Sequence, residues 1–303
     1  MSRSALVARL TQARAPALTL LALANLLWAG NWIVGRALRD AFDPISLNFY
    51  RWVIAVVVLA PFALPGLAAK RELIRKHAGI LALLSLLGVA IFHSLVYLAL
   101  QSTTAVNAVL INCSGPLFIL LCAWVLDGER ATLRQLAGML VSMAGILVIL
   151  SRGEPAALLE LELHSGDAWV VAAIAIWGLY SVLLKRRPPE LGGVHFLFVL
   201  SAAGVLFLAP AFVLQVLHSP PQPPSAAEVA GVLYVGLAAS AVAFMFWNRG
   251  VALVGANAAG FTLYLLPTFG TLLAIAFLGE TFGAFHAVGI ATIVAGIILA
   301  TRR

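Results

Sequence analysis

Apolar residues run through this chain in long blocks separated by short polar stretches. The blocks far exceed the ~10 alternating residues of a barrel strand. They match the ~20 residues that a helix needs to cross hydrocarbon. The pattern predicts ten spans, at 17–37, 44–65, 78–100, 104–126, 131–151, 166–186, 192–215, 227–248, 254–278 and 282–301. The longest breaks are the acidic stretch Glu154–Asp167 and the segment His218–Glu228. The second contains Pro220, Pro221, Pro223 and Pro224, which exclude a regular helix there.

The pattern also repeats. Pro116, Glu129, Gly138 and Gly145 recur as Pro267, Glu280, Gly289 and Gly296, each 151 residues later. Five spans per copy is an odd number, so the second copy must enter the membrane from the opposite side. The expected fold is all-α and integral to the membrane: ten transmembrane helices as two inverted five-helix repeats, residues 1–151 and 166–303. The halves are expected to superimpose by a rotation of about 180° around an axis in the membrane plane. Carriers that expose one site alternately to two sides are built this way, so transport leads the functional readings.

Composition supports the membrane assignment. Of 303 residues, 62% are hydrophobic and 10% charged, with a mean hydropathy of +1.03. A soluble domain carries about 25% charged residues. The lipid bilayer is therefore the expected solvent. The net charge of +7 does not indicate nucleic acid, because the basic residues sit at helix ends and not with aromatics on one face. With the N-terminus cytoplasmic, 15 Lys and Arg fall on the inner side and 4 on the outer. Both termini are thus expected in the cytoplasm, with the chain in the plasma (inner) membrane. The stretch to Pro16 holds Arg3, Arg9 and Arg14, lacks a small-residue cleavage site, and is expected to be retained. Cys113 and Cys122 lie nine residues apart on one span, about 13 Å along a helix, too far to bridge.

The segment QSTTAVNAVLINCSGPLFILLCAWVLDGER, from Gln101, and its counterpart GANAAGFTLYLLPTFGTLLAIAFLGET carry a family pattern. The TTA opening the fourth span, the proline inside it and the GER after it resemble the drug/metabolite transporter superfamily, EamA type. The second copy keeps Pro267 and Glu280 but has GET for GER. Within the family the chain is most similar to the aromatic amino acid exporter (YddG) type, through its size, its ten spans and the strings WAGNW (Trp28 to Trp32) and WGLY (Trp177 to Tyr180). The resemblance covers essentially the whole chain. It implies a transporter fold and a small-molecule substrate, an amino acid or similar metabolite, and leaves the substrate open.

Several residues are candidates for the transport site. Pro116 and Pro267 lie near the middles of spans 4 and 9, where a proline frees a backbone carbonyl. They either break the helices for function or kink them. Trp28 and Trp177 are 149 residues apart, both near a span midpoint, with Asn31 and Tyr180 one turn further on the same face. They could flank an apolar pocket with a few directed polar groups, or simply pack. His93, inside span 3, could contact substrate, titrate, or pack with a hydrogen bond. Arg51 lies seven residues into span 2, where its guanidinium suits a carboxylate. Snorkelling outward to Asp40 or Asp43 is the alternative. Tyr97 and Trp247 are candidates for outer and inner gates, or for interfacial belt residues. Arg36 is expected to pair with Asp40. Glu129 and Glu280 are expected to serve the starts of spans 5 and 10, and the paired glycines to let helices approach.

No Asp or Glu falls in the middle of a predicted span. Facilitated movement or exchange is therefore expected over coupling through a buried carboxylate, with His93 keeping proton coupling open. A drug or quaternary-amine exporter would want such a carboxylate. A membrane-embedded enzyme would want a motif such as HExxH or GxSxG, and none is present. A channel has no need of an inverted repeat. No metal or cofactor signature and no obligate protein partner is evident.

Overall fold

A computed structural model describes residues 3–160, 162–278 and 282–301. Among them there are helices and no strands. Nine helices are long and apolar enough to cross a membrane. In chain order, α1 is Arg3–Ala37, with its apolar span over Ala15–Ala37; α2 is Pro44–Ala63; α3 is Ala78–Ser102. α4 has two pieces, Ala105–Asn112 and Gly115–Asp127. α5 is Leu133–Leu150, α6 is Ser165–Arg186, α7 is Gly193–His218, α8 is Ala226–Val254 and α10 is Ala284–Thr301. The tenth span, α9, is divided into Ala256–Phe261, a 3-10 turn Thr262–Tyr264, and Leu265–Leu278. No single piece of it reaches the length of a span.

Local chemistry fixes the helix ends. Asp43 starts α2 by accepting from the backbone N–H of Ile45 (3.0 Å) and Ser46 (2.9 Å), with Pro44 in the first turn. Reciprocal capping boxes start α5 (Thr132 with Gln135) and α8 (Ser225 with Glu228). Gly128 ends α4 in the left-handed region, at φ 69°, where a side chain is strained.

Two charged residues differ from the sequence reading. Glu129 lies ahead of α5, whose start belongs to Thr132. Its carboxylate instead accepts from Lys185 (3.1 Å) and Asn257 (3.0 Å), tying α4 to α6 and α9. Arg36 does not pair with Asp40, which is taken by Arg39 at 3.4 Å. Arg36 Nη1 donates to the carbonyls of Leu100 (2.7 Å) and Thr103 (3.0 Å). Those carbonyls end α3, where the helix dipole favours a cation. Glu280 lies outside the described residues.

The halves interleave, and their contacts come in exchanged pairs. α1 packs on α8 and α9, and its counterpart α6 packs on α3 and α4. α2 packs on the middle of α8, and α7 on the middle of α3. α2 meets α7, and α5 meets α10, across the axis itself. The α5–α10 crossing reveals the direction of that axis. Gly138 faces Gly296, and Gly145 faces Gly289. The early glycine of each copy thus meets the late glycine of the other. Between them the equivalent residues Ser142 and Ile293 touch, Ser142 Oγ donating to Ile293 O at 3.3 Å. Only an antiparallel crossing about an axis in the membrane plane does this, so the repeats are inverted.

The crossing depends on bare backbone. A methyl on Gly145 would lie 2.7 Å from Gly289 O and 2.8 Å from Ile293 N. Gly145→Val is therefore expected to push the helices apart and destabilise the fold by about 3 kcal/mol or more. Gly79→Ala, with nothing within 4 Å, serves as the control. Melting of both variants in detergent measures the difference.

Candidate functional site

The middle of the bundle is built on helices that depart from α geometry in matched places. α3 widens to a π-helix over Leu86–Ile91, and α8 does so over Val235–Val242. A π stretch releases carbonyls from the regular ladder, and in hydrocarbon these need protein partners. Asn48 Nδ2 donates to Val89 O and Ala90 O, both at 3.1 Å. Ser240 Oγ donates to Val235 O at 2.8 Å, and Trp28 Nε1 to Ala239 O at 3.0 Å.

The second matched departure lies near the prolines. α4 turns at Cys113–Ser114, and Pro116 enters the first turn of the next piece, where its missing N–H costs nothing. α9 tightens at Thr262–Tyr264 just before the piece holding Pro267. Hydroxyls take carbonyls at both breaks: Ser114 Oγ donates to Ile111 O (2.6 Å) and Thr262 Oγ1 to Ala259 O (2.7 Å).

Aromatic rings fill the space between these segments. Trp28 and Trp177 meet edge to face, with ring centroids 5.1 Å apart. Trp247 lies 5.4 Å from each, and Phe244 5.7 Å from Trp28 and 5.6 Å from Trp177. A small cavity of about 30 Å³ adjoins them, room for roughly one water. It is lined by Trp28, Asn31, His93, Asn112 and Trp177, among others.

Two hydrogen bonds flank the rings. Tyr97 OH donates to Asn31 Oδ1 at 3.2 Å, joining α3 to α1. Tyr180 OH donates to Asn248 Oδ1 at 2.9 Å, joining α6 to α8. They are one interaction with its residues exchanged. Helix 1 of the first half supplies Asn and helix 3 Tyr; in the second half helix 1 supplies Tyr and helix 3 Asn. Tyr97 and Asn248 are 151 residues apart, and Asn31 and Tyr180 are 149 apart.

The two ends of the bundle differ. At one, Asp127 and Glu129 pair with Lys185 at 2.6 and 3.1 Å, and Arg186 reaches Asp127 at 3.3 Å. A cavity of about 440 Å³ lies there, lined by Glu129, Leu184, Lys185, Arg187, Val251 and Asn257. Leu184 follows Tyr180, and Val251 follows Asn248, by about one turn. At the other end Asp167 accepts from Thr103 and from Asn107 (2.9 Å), closing α3, α4 and α6 together.

The EamA-like transporter family matches residues 15–151 and 164–302. The chain belongs to this family. An uncharacterised transporter of Archaeoglobus fulgidus is 30% identical over 293 residues, 94% of this chain and 96% of the relative. A protein of Streptantibioticus cattleyicolor, named a probable terminal-alkyne amino-acid exporter, is 31% identical, over 93% of this chain and 92% of its own. The aromatic amino acid exporter YddG of Ancylobacter novellus is 28% identical over 69% of this chain and 71% of its own. A solved crystal structure matches with a TM-score of 0.73 at 24% identity, covering 95% of this chain and 97% of that one, a likeness of fold. This EamA-family protein is a membrane transporter and not an enzyme.

In the EamA protein four of the six expected binding residues, Trp28, Asn31, His93 and Trp177, line the central cavity. Arg51 and Tyr180 lie behind it, fully buried. Arg51 does not snorkel to Asp40 or Asp43. Its Nε donates to Ser240 Oγ and its Nη1 to Tyr97 OH, both at 2.7 Å. Tyr97 and Trp247 are buried, which excludes a place in an interfacial belt. Trp247 packs with the central rings, and the residue bonded as the counterpart of Tyr97 is Asn248. Sequence reasoning passed over Trp52, Phe244, Ser240 and Asn248. The repeat offset applied to His93 and Tyr97 points to Phe244 and Asn248; no linear signal marks the other two.

The two central tryptophans are not equal. Trp28 Nε1 holds a carbonyl released by the π stretch, whereas Trp177 Nε1 is buried with no partner among the described residues. Trp28→Phe should orphan Ala239 O and lower stability by about 1–3 kcal/mol. Trp177→Phe should melt close to the native protein. Thermal unfolding of the two variants side by side measures this.

Proposed function

We propose that the chain is an alternating-access exporter of amino acids, aromatic and hydrophobic ones included, and of similar small metabolites, working by facilitated diffusion or exchange. The observation that carries this reading is the exchanged pair of Tyr–Asn hydrogen bonds on either side of Trp28 and Trp177. A carrier needs two barriers that open in turn and are equivalent by its own symmetry. Tyr97–Asn31 and Tyr180–Asn248 are equivalent in this way, which supports the reading. In this arrangement they are the gates, the aromatic cluster is the substrate platform between them, and each gate opens within one repeat, α1 parting from α3 in residues 1–151 and α6 from α8 in residues 166–303. The breaks near Pro116 and Pro267 give the repeats their hinges.

With the termini in the cytoplasm of a cell bounded by this plasma membrane, the Lys185 face is the inner face. The 440 Å³ cavity is then the inner vestibule, closed from the centre by Tyr180–Asn248. Relatives named for the export of amino acids support the substrate class. No carboxylate lines the central cavity, which favours this class over quaternary amines.

Counterflow in proteoliposomes tests the reading. Labelled phenylalanine should enter faster when unlabelled phenylalanine is trapped inside, as only a carrier allows. Tyr180→Phe should remove one gate bond, worth about 0.5–1.5 kcal/mol, a few-fold to tenfold shift between states. Tyr97→Phe removes its gate bond and also the acceptor of Arg51 Nη1, so its effect should be larger. Each should raise thiol labelling at its own mouth and lower it at the other. Flux without trans-stimulation, or labelling that rises at both mouths, would reject alternating access.

A further inference from the structure

The halves share their gates but not their charge. His93 and Tyr97 have Phe244 and Asn248 as mates at the 151-residue offset. Leu59–Ala60–Pro61 recurs as Leu208–Ala209–Pro210, and that 149-residue offset puts Leu200 opposite Arg51. The cation and the imidazole therefore belong to one half alone, and their counterparts are apolar.

Arg51 is fully buried, and no Asp or Glu pairs with it among the described residues. Its charge rests on two hydroxyls and on two rings, Trp52 at 5.6 Å and Tyr97 at 5.7 Å from the guanidinium carbon. Its Nη2 finds no partner among the described residues. An unpaired cation within a membrane span is costly and marks a functional site. Among the described residues Trp52, Trp177 and Trp247 also bury an indole N–H, and Asn248 its amide nitrogen, without a partner, while Asn25 and Asn48 each bury an unpaired amide oxygen. Arg51 Nη2 is the charged donor of this set, and it calls for an anionic acceptor.

The guanidinium is linked to the central cavity through Tyr97 and Asn31. Arg51 Nη1 donates to Tyr97 OH, and that hydroxyl donates to Asn31, which lines the cavity wall beside His93. Parting Tyr97 from Asn31, the event proposed for that gate, frees the hydroxyl and opens the way to the guanidinium.

We propose that Arg51 is the carboxylate anchor of the transport site, and that the site requires a carboxylate on its ligand but no ammonium. This rests on the carrier reading above and narrows it. The planar guanidinium receives both carboxylate oxygens in a fork, with Tyr97 OH as a further donor. The Trp28–Trp177–Phe244–Trp247 cluster takes the apolar body. An ammonium would find no Asp or Glu along the cavity, so an aromatic acid that lacks one should bind as well as the amino acid.

Melting of the purified protein in detergent, with 3-phenylpropionate, its amide, phenethylamine and phenylalanine as probes, reads binding without needing transport. The two carboxylates should raise the melting temperature, and the amide and the amine should not. Arg51→Gln should abolish the shift and Arg51→Lys should keep part of it. Should Arg51→Gln not fold, the comparison of acid with amide on the native protein decides alone. Stabilisation by phenethylamine or the amide equal to that by the acid, or no carboxylate-dependent shift, overturns the proposal. Phenylalanine counterflow run in parallel separates the two claims. Counterflow without a carboxylate preference rejects the anchor alone, and Arg51-dependent binding without counterflow rejects the carrier reading alone.

Discussion

Hydrocarbon neither donates nor accepts a hydrogen bond, so a backbone group released from a helix inside the membrane must find a protein partner. That constraint organises the centre of this molecule. The π stretches of α3 and α8 release carbonyls, and Asn48, Trp28 and Ser240 meet them. Each of these side chains is then held in place for a second task. Ser240 illustrates it best: its hydroxyl donates to Val235 O and accepts from Arg51 Nε. The repair of an irregular helix thereby positions a buried cation. From Arg51 the chain of hydrogen bonds runs through Tyr97 to Asn31 and ends at the cavity.

Symmetry supplies the rest of the design. Near the pseudo-two-fold axis α5 and α10 meet through four glycines, with Ser142 against Ile293, and α1 and α6 meet through Trp28 and Trp177. Off the axis the same contact occurs twice with roles exchanged, as in the two Tyr–Asn bonds. Arg51 and His93 are departures from that symmetry. The first half carries Arg51 and His93 at positions where the second carries Leu200 and Phe244, all of them buried. A ligand polar at one end and aromatic at the other fits that division.

The spans, their number and the inverted repeat were legible in the sequence, because hydropathy blocks and a constant offset are linear signals. The meeting of Trp28 with Trp177 followed from depth and offset together. The π stretches were not legible, since Leu86–Ile91 and Val235–Val242 look like any other apolar run. Nor was the setting of Arg51, whose partners Ser240 and Tyr97 come from other helices and replace the nearby Asp40 and Asp43. Arg36 and Glu129 show the same limit: a charge four residues away suggested a partner for Arg36 and the next helix start a role for Glu129, and the fold supplied the end of α3 to one and Lys185 and Asn257 to the other. Trp247 and Asn248 are neighbours in sequence, and choosing between them as the mate of Tyr97 needed the offset held strictly at 151.

The central claim is that the two Tyr–Asn bonds open in alternation. Spin-label distances across each mouth test it most directly. One pair, at Arg39 and Gln101, reports on α1 against α3. The other, at Arg186 and Arg249, reports on α6 against α8. In liposomes each pair should show a short and a long distance. Tyr97→Phe should enrich the long distance for the first pair and deplete it for the second, and Tyr180→Phe should do the reverse. Populations of the two mouths that change together, or a single unshifted distance in both, would contradict the account.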